Sequence, residues 1–159
     1  MKGHRANRGF TMIELITVII LIGILAVVAM PNLNQAQGFS ATSFNDRVAA
    51  SLRFAQKSAV AKRRLVCASV AADRLTLKVD ASFGAGTCVN ALAGPDGANP
   101  AALSPAANVT LAAAPAGPLY FQPSGAVASD AAGTAPTNYT LTVTGQTPIT
   151  VNGATGYVD

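Results

Sequence analysis

The stretch that decides the fold is Arg8-Gly9-Phe10-Thr11-Met12-Ile13-Glu14-Leu15, which leads directly into an apolar run that ends at Met30. Within Leu15–Met30, Thr17 is the one polar side chain and Gly23 is the one weak helix former. Together with the apolar residues just before it, this run approaches the ~20 residues that a helix needs to cross a ~30 Å hydrocarbon core. The sequence therefore predicts a membrane-spanning helix close to the N-terminus.

The basic residues Lys2, Arg5 and Arg8 precede the apolar run. The positive-inside rule therefore predicts a cytoplasmic N-terminus, with the remainder of the chain outside. A cleaved secretory signal is disfavoured because the apolar run exceeds its usual 7–15 residues and because Met30-Pro31-Asn32 is not an Ala-x-Ala type of site. A plain signal anchor fits the length and the charge, but it gives no reason for the carboxylate of Glu14, which is costly near a membrane segment.

Residues 8–15 resemble the processing site of type IV pilins and type II secretion pseudopilins, on the strength of Gly9, Phe10 and Glu14. The resemblance implies that a prepilin peptidase cleaves after Gly9 and methylates the new N-terminal amine of Phe10. It also implies that Glu14 pairs with the N-terminal amine of a neighbouring subunit and so sets the axial register, since charges buried in an apolar core must be paired. The alternative is that Glu14 reaches the lipid headgroups without a partner.

The same resemblance divides the chain into four segments. Residues 1–9 are a leader peptide, 10–31 a transmembrane and filament-core helix, 32–64 an amphipathic helix, and 65–159 an antiparallel β head with Pro/Ala/Gly-rich loops. Pro31 is expected to kink the helix, because proline removes a backbone hydrogen bond and clashes with the preceding turn.

Apolar side chains recur at spacings of three and four between residues 41 and 59, which predicts a helix with one buried stripe. The stripe consists of Ala41, Phe44, Val48, Leu52, Ala55 and Ala59, whereas Asp46, Arg53 and Lys57 project elsewhere. Further along the chain, β-rich runs predict strands. These runs are Leu65–Ala71, Arg74–Val79, Asn108–Ala112, Leu119–Gln122, Asn138–Thr144 and Pro148–Val151. Ala72-Asp73 predicts a hairpin between the first two runs, and the alternation of residues 139–144 predicts a strand with one buried face. Most of the chain's nine prolines lie between Ala91 and Pro136, which predicts long surface loops around one or two strands.

A long helix followed by an antiparallel sheet is an α+β arrangement, and it resembles the pilin fold along the whole chain. Three local features are similar to the GspH/FimT type of minor pilin: the helix segment Leu52–Ala59, the turn Phe121-Gln122-Pro123-Ser124-Gly125, and a closing strand pair, Ile149–Val151 with Gly156–Val158. MSHA-type minor pilins are similar as well, and the sequence does not separate the two.

Cys67 and Cys88 would lie outside the cytoplasmic membrane, where disulfides form and persist. A disulfide between them would stabilise the head by roughly 3 kcal/mol in the chain-entropy model. Two free buried thiols are the alternative. Redox catalysis favours a Cys-x-x-Cys spacing, which these two residues do not have.

The composition argues against an enzyme. His4 is the one histidine and lies in the predicted leader, and charged residues make up 11% of the chain. The chain cannot supply the three or four His and Cys ligands of a typical zinc site, so no metal and no cofactor are expected. A membrane-anchored hydrolase would depend on Ser and Asp alone. Gly84-x-Gly86 lacks the third glycine of a nucleotide-binding fingerprint.

The positive charge is unevenly distributed, because all eleven Lys and Arg lie at or before Lys78. Arg63, Arg64 and Arg74 are candidates for a patch that binds DNA or an acidic partner. The structural alternative is that Lys62-Arg63-Arg64 complements the negative end of a helix dipole. Some FimT-like DNA-uptake pilins carry Arg-bearing C-terminal segments, whereas residues 153–159 contain no base, so nucleic-acid binding is not favoured.

The leading interpretation is therefore a structural protein: a minor pilin or pseudopilin that takes part in initiating assembly of a type IV pilus or a type II secretion pseudopilus. It would cross the bacterial inner membrane once, with its head in the periplasm, and then enter the filament, at or near the cell surface. Its partners would be other pilins, through the N-terminal helix, and the prepilin peptidase. The alternative is a DNA-uptake or adhesion minor pilin that binds through the basic patch.

Overall fold

The computed structural model describes the backbone of residues 10–159 and the side chains of residues 10–26 and 40–159. The chain divides into two compact units, Met1–Gly38 and Phe39–Asp159. One helix, α1 (Met12–Lys62), contributes residues to both. Its backbone is helical at Pro31. The side chain of Pro31 lies outside the described residues, so the kink there stays a prediction.

Between residues 66 and 151 the described chain forms nine β-strands. They are β1 (Val66–Ala71), β2 (Arg74–Asp80), β3 (Cys88–Leu92), β4 (Ala102–Leu103), β5 (Leu111–Ala114), β6 (Leu119–Phe121), β7 (Val127–Ala128), β8 (Tyr139–Val143) and β9 (Ile149–Val151). The first sheet has the order β3-β2-β1-β6-β7, with β4 also paired to β2, and the second has the order β5-β8-β9. All these pairs are antiparallel.

The apolar stripe of α1 is buried in the core of the second unit, as the spacing predicts. Its six members are at most 6% exposed, and they share one hydrophobic cluster with residues from both sheets. Three of the six are alanines, and their small side chains let neighbouring elements approach the helix closely. The side chains of Asp46, Arg53 and Lys57 are exposed, so the amphipathic pattern is confirmed.

The β1–β2 hairpin turns at Ala72-Asp73 as expected, with Ala71 opposite Arg74. The alternating pattern of residues 139–144 is also confirmed, because Tyr139, Leu141 and Val143 are buried while Thr140 and Thr142 are exposed. The closing strand pair is present as an antiparallel bridge between Val151 and Val158.

Two expectations about the strands were wrong. The strand predicted at Asn108–Ala112 begins and ends later in the chain, since the strand there is β5, Leu111–Ala114. The Pro-rich region between Ala91 and Pro136 contains four strands instead of one or two, since β4, β5, β6 and β7 all lie within it. Two of these strands are only two residues long, which is too short to show a period-2 pattern.

Gly156 lies where the C-terminal segment comes close to α1 and to the loop that contains Gly125. Its φ is +66°, and a Cβ added there would collide with the carbonyl oxygen of Gly125 and with the side chain of Gln56. Gln56 itself donates from Nε2 to the carbonyl of Thr155 at 2.8 Å. The glycine therefore lets the C-terminal segment pack directly against α1.

Replacing Gly156 by alanine is expected to lower the free energy of unfolding by ~2–4 kcal/mol, because left-handed strain and steric overlap both oppose the methyl group. The matched control is Gly145→Ala, since Gly145 also has a positive φ but has nothing within 4 Å of the added Cβ. Gly145→Ala should lower the free energy of unfolding by about 1 kcal/mol, because only the left-handed strain opposes it. Denaturant unfolding of the full chain in detergent micelles, followed by near-UV circular dichroism, would measure both. Equal losses of stability in the two variants would mean that Gly156 is not closely packed.

Candidate assembly surface

Thr11 fixes the start of α1. The backbone N–H of Glu14 donates to the Thr11 carbonyl at 3.1 Å and to Thr11 Oγ1 at 3.3 Å. This is the N-cap arrangement, and Thr11-x-x-Glu14 has the spacing of a capping box. Glu14 therefore lies in the first turn of the helix, where its negative charge is favourable against the helix dipole.

Residues 10–26 expose large apolar side chains on all sides, and we call them the N-terminal apolar segment. Its large apolar side chains are Phe10, Met12, Ile13, Leu15, Ile16, Val18, Ile19, Ile20, Leu21, Ile22, Ile24 and Leu25. Their exposed fractions run from 44% for Val18 to 85% for Met12. An apolar surface of this extent marks a site for contact with protein or membrane.

Among the helices formed by the described residues, none is both long enough and apolar enough to cross a membrane.

Glu14 is the one ionisable side chain in the N-terminal apolar segment. In the described parts of the chain, no hydrogen bond or ion pair holds its carboxylate. Gly9, which precedes the predicted cut, lies outside the described residues. The segment thus presents one carboxylate, four residues after the predicted new N-terminus at Phe10, on an otherwise apolar helix.

The structure does not bring the three candidate arginines of the basic patch together. Arg63 and Arg64 follow the end of α1, just before β1, whereas Arg74 lies at the far end of the β1–β2 hairpin, about 17 Å of strand away. Arg74 also forms an ion pair with Asp73 at 2.5 Å, and the guanidinium holds the pKa of that carboxyl below its ordinary value. This separation disfavours a single DNA-binding site made of these residues.

Arg63 has a structural role at the end of the helix. Its φ is +50°, its N–H donates to the Val60 carbonyl at 3.2 Å, and the Arg64 N–H donates to the Ala59 carbonyl at 3.1 Å. These bonds form a Schellman-type helix end, in which glycine is the preferred residue at the left-handed position. An arginine at this position carries strain that glycine would not.

Replacing Arg63 by glycine is therefore expected to raise the free energy of unfolding by about 1 kcal/mol, because it removes left-handed strain. The control is Lys57→Gly, an exposed basic residue inside the helix, which should lower it by about 1 kcal/mol. The same denaturant experiment measures both. A loss of stability in Arg63→Gly would instead mean that the arginine side chain makes a stabilising contact.

A disulfide joins Cys67 of β1 to Cys88 of β3, with the Cα atoms 6.1 Å apart, in agreement with the sequence-based expectation. The neighbouring Asp80 is 1% exposed and was missed by the sequence analysis. Its backbone N–H donates to the Leu65 carbonyl at 2.9 Å, and its Oδ2 accepts from the Gly86 N–H at 2.8 Å. Asp80 and the disulfide together fix the loop that leads into β3.

Two of the pockets in the described part of the head have volumes of about 490 Å³ each. One lies between α1 and the segment before β9 and includes Arg53, whose Nε donates to the Val158 carbonyl at 3.2 Å. The other lies at the strand ends beside Asp80 and Phe83. The described residues contain no group of three or more His, Cys, Asp or Glu side chains that could hold a metal ion.

Residues 4–30 match the family model described as the prokaryotic N-terminal methylation motif. The structure is similar to the crystal structure of the type IV minor pilin FimU from Pseudomonas aeruginosa strain PAO1, with a TM-score of 0.50 and 18% sequence identity. The match covers 79% of this chain and 88% of that chain. No curated protein matches the chain.

The likeness to FimU confirms the expected α+β fold, an N-terminal helix followed by an antiparallel β head. The chain thus combines a prokaryotic N-terminal methylation motif with the fold of a type IV pilin.

Proposed function

We propose that this protein is a minor pilin or pseudopilin that takes part in initiating assembly of a type IV pilus or a type II secretion pseudopilus. The observation that carries the proposal is the N-terminal apolar segment, which lies within the matched methylation motif and presents one carboxylate, Glu14. A structural subunit of a filament needs a large apolar surface for its neighbours, whereas a free-standing soluble protein gains nothing from exposing one.

In this proposal the chain is first inserted in the inner membrane, with the head in the periplasm. Residues 1–9 are the leader, and the prepilin peptidase removes them after Gly9 and methylates Phe10. Residues 10–31 then form the filament-core helix with its kink at Pro31, residues 32–64 continue as the amphipathic helix, and residues 65–159 form the head. Lipid covers the apolar segment before assembly, and helices of other pilins cover it afterwards.

Glu14 gives the assembled filament its register in this proposal. A carboxylate surrounded by apolar helices is costly unless a positive charge lies next to it. The amine of Phe10 on a neighbouring subunit supplies that charge after cleavage. Because every described side chain around Glu14 in residues 10–26 is uncharged, an axial shift of the subunit would leave the carboxylate without a partner.

Processing is tested by mass spectrometry of filaments sheared from the native host. We expect a peptide that begins at methylated Phe10, and we expect Gly9→Val to abolish it, because the side chain blocks the peptidase. The membrane fraction serves as the comparison. Processed protein confined to that fraction would favour a short pseudopilus or a rare initiator, and a chain that retains Met1–Gly9 in every fraction would overturn the proposal.

Assembly is tested with Glu14→Gln, which keeps the size and polarity of the side chain but removes its charge. We expect normal processing at Phe10 and a loss of about tenfold or more in the amount recovered in sheared filaments, since one buried charge pair is lost. Asp46→Asn is the matched control, because Asp46 is an exposed carboxylate on the same helix within the head. Wild-type recovery of Glu14→Gln would refute the role of Glu14.

A further inference from the structure

A pocket of about 490 Å³ lies between the loop that joins β2 to β3 and the two loops that flank β7. Two of its lining residues, Asp80 and Gln122, have polar side chains. Ligand sites of proteins commonly have volumes of ~300–1,000 Å³ and apolar walls with a small number of polar groups. The apolar wall of this pocket consists of Leu65, Phe83, Pro123, Ala131 and Ala132.

Asp80 brings an unpaired carboxylate oxygen to the wall of this pocket. Its Oδ2 accepts from the N–H of Gly86, which lines the same pocket, at 2.8 Å. Its Oδ1 is buried and accepts no hydrogen bond from any described residue. No described lysine or arginine forms an ion pair with Asp80. A buried carboxylate without a positive partner is costly, and a cation seated in the pocket would remove that cost.

The structural role of Asp80 in its loop accounts for only one of the two oxygens. An asparagine at this position could accept the same hydrogen bond from the Gly86 N–H through its amide oxygen, without a buried charge. The second oxygen of Asp80 and its negative charge therefore add nothing to the folding of this loop. They are the part of the side chain that a ligand can use.

The other lining residues indicate what kind of cation fits. Phe83 is 76% exposed, and an aromatic ring attracts cations through its quadrupole. Gln122 Nε2 donates to the carbonyls of Asp130 and Ala131 at 3.4 Å each, so its amide oxygen is the group that can accept from a ligand. The apolar wall suits an aliphatic stem of the kind that lysine and arginine side chains bury while their charged ends find a polar partner.

We propose that this pocket binds a protonated amine or a guanidinium group on a short aliphatic stem, with the cation paired to Asp80 and the stem against the apolar wall. Lysine and arginine side chains of a partner protein carry such a group, and so do small free amines. The inference does not depend on the proposed filament role, because the pocket lies entirely within residues 65–132 of the head.

The experiment titrates n-butylammonium chloride into the ¹⁵N-labelled full chain in uncharged detergent micelles. The readout is the amide signal of Gly86, because its N–H bonds directly to the Asp80 carboxylate. We expect a saturable shift in the millimolar range, as suits so small a ligand. Binding of 1-butanol, which has the same stem but no charge, should be weaker by tenfold or more. The absence of a saturable shift at constant ionic strength would overturn the proposal, as would equal binding of 1-butanol.

A second titration distinguishes the two sources of the cation. Its probe is an N-acetylated, C-amidated tripeptide with a central lysine. Binding of this peptide at least tenfold tighter than that of n-butylammonium would assign the pocket to a side chain of a partner protein. Equal or weaker binding would assign it to a small free amine.

Charge removal at Asp80 tests the site directly. Asp80→Asn keeps an acceptor for the Gly86 N–H and should weaken n-butylammonium binding by tenfold or more. Asp46→Asn is the matched control, because it removes an exposed carboxylate from α1 and should leave the affinity unchanged. Phe83→Leu, which keeps the apolar contact but removes the ring, should weaken binding about two- to fivefold.

Ala132→Lys tests the pocket without altering Asp80. Ala132 is exposed and lines the pocket, so a lysine there places a cation of the chain itself next to the carboxylate and should abolish n-butylammonium binding. Ala132→Gln adds a long uncharged side chain at the same place and should weaken binding less. Thermal unfolding checks that each variant remains folded. Unchanged affinity in folded Asp80→Asn or in Ala132→Lys would overturn the proposal.

Discussion

The burial of one face of α1 in the head is the constraint on which the rest of the structure depends. Ala55 and Ala59 are completely buried, and their small side chains leave room for close packing. Polar contacts then fix the helix at both sheets. Ser51 Oγ donates to the Ala101 carbonyl next to β4, and Gln56 Nε2 donates to the Thr155 carbonyl beyond β9. Because one helix surface serves both sheets, neither sheet can shift without losing contacts to it.

The same helix carries two kinds of surface along its length. Apart from Thr11, Glu14 and Thr17, the side chains of residues 10–26 are apolar, and they are exposed, which favours a covering of lipid or protein. From residue 40 onwards, polar side chains alternate with a single buried stripe, which is the pattern of a helix whose apolar face is already covered by its own chain. The first surface is therefore available for contact with lipid or protein, whereas the second is used in folding.

The sequence predicted those structural features that follow from the local spacing of apolar residues. The stripe of α1, the β1–β2 hairpin and the alternation of β8 all follow from regular spacing of apolar residues. β4 and β7 were missed because two residues show no period, and β3 was missed because Cys88, Asn90 and Ala91 have little strand propensity of their own. Asp80 was missed because its importance arises from burial and from the Gly86 N–H, which are tertiary features. The separation of Arg74 from Arg63 follows from strand direction, which residue type does not encode.

The acids in the half of the chain that lacks bases accept hydrogen bonds from the loops of the head. The N–H and hydroxyl of Thr134 lower the pKa of Asp130, and the Ala98 N–H, followed by the Arg47 guanidinium, lowers the pKa of Asp96. Asp80 accepts a hydrogen bond from the Gly86 N–H and so holds its loop. These carboxylates organise turns instead of forming a charged surface for recognition.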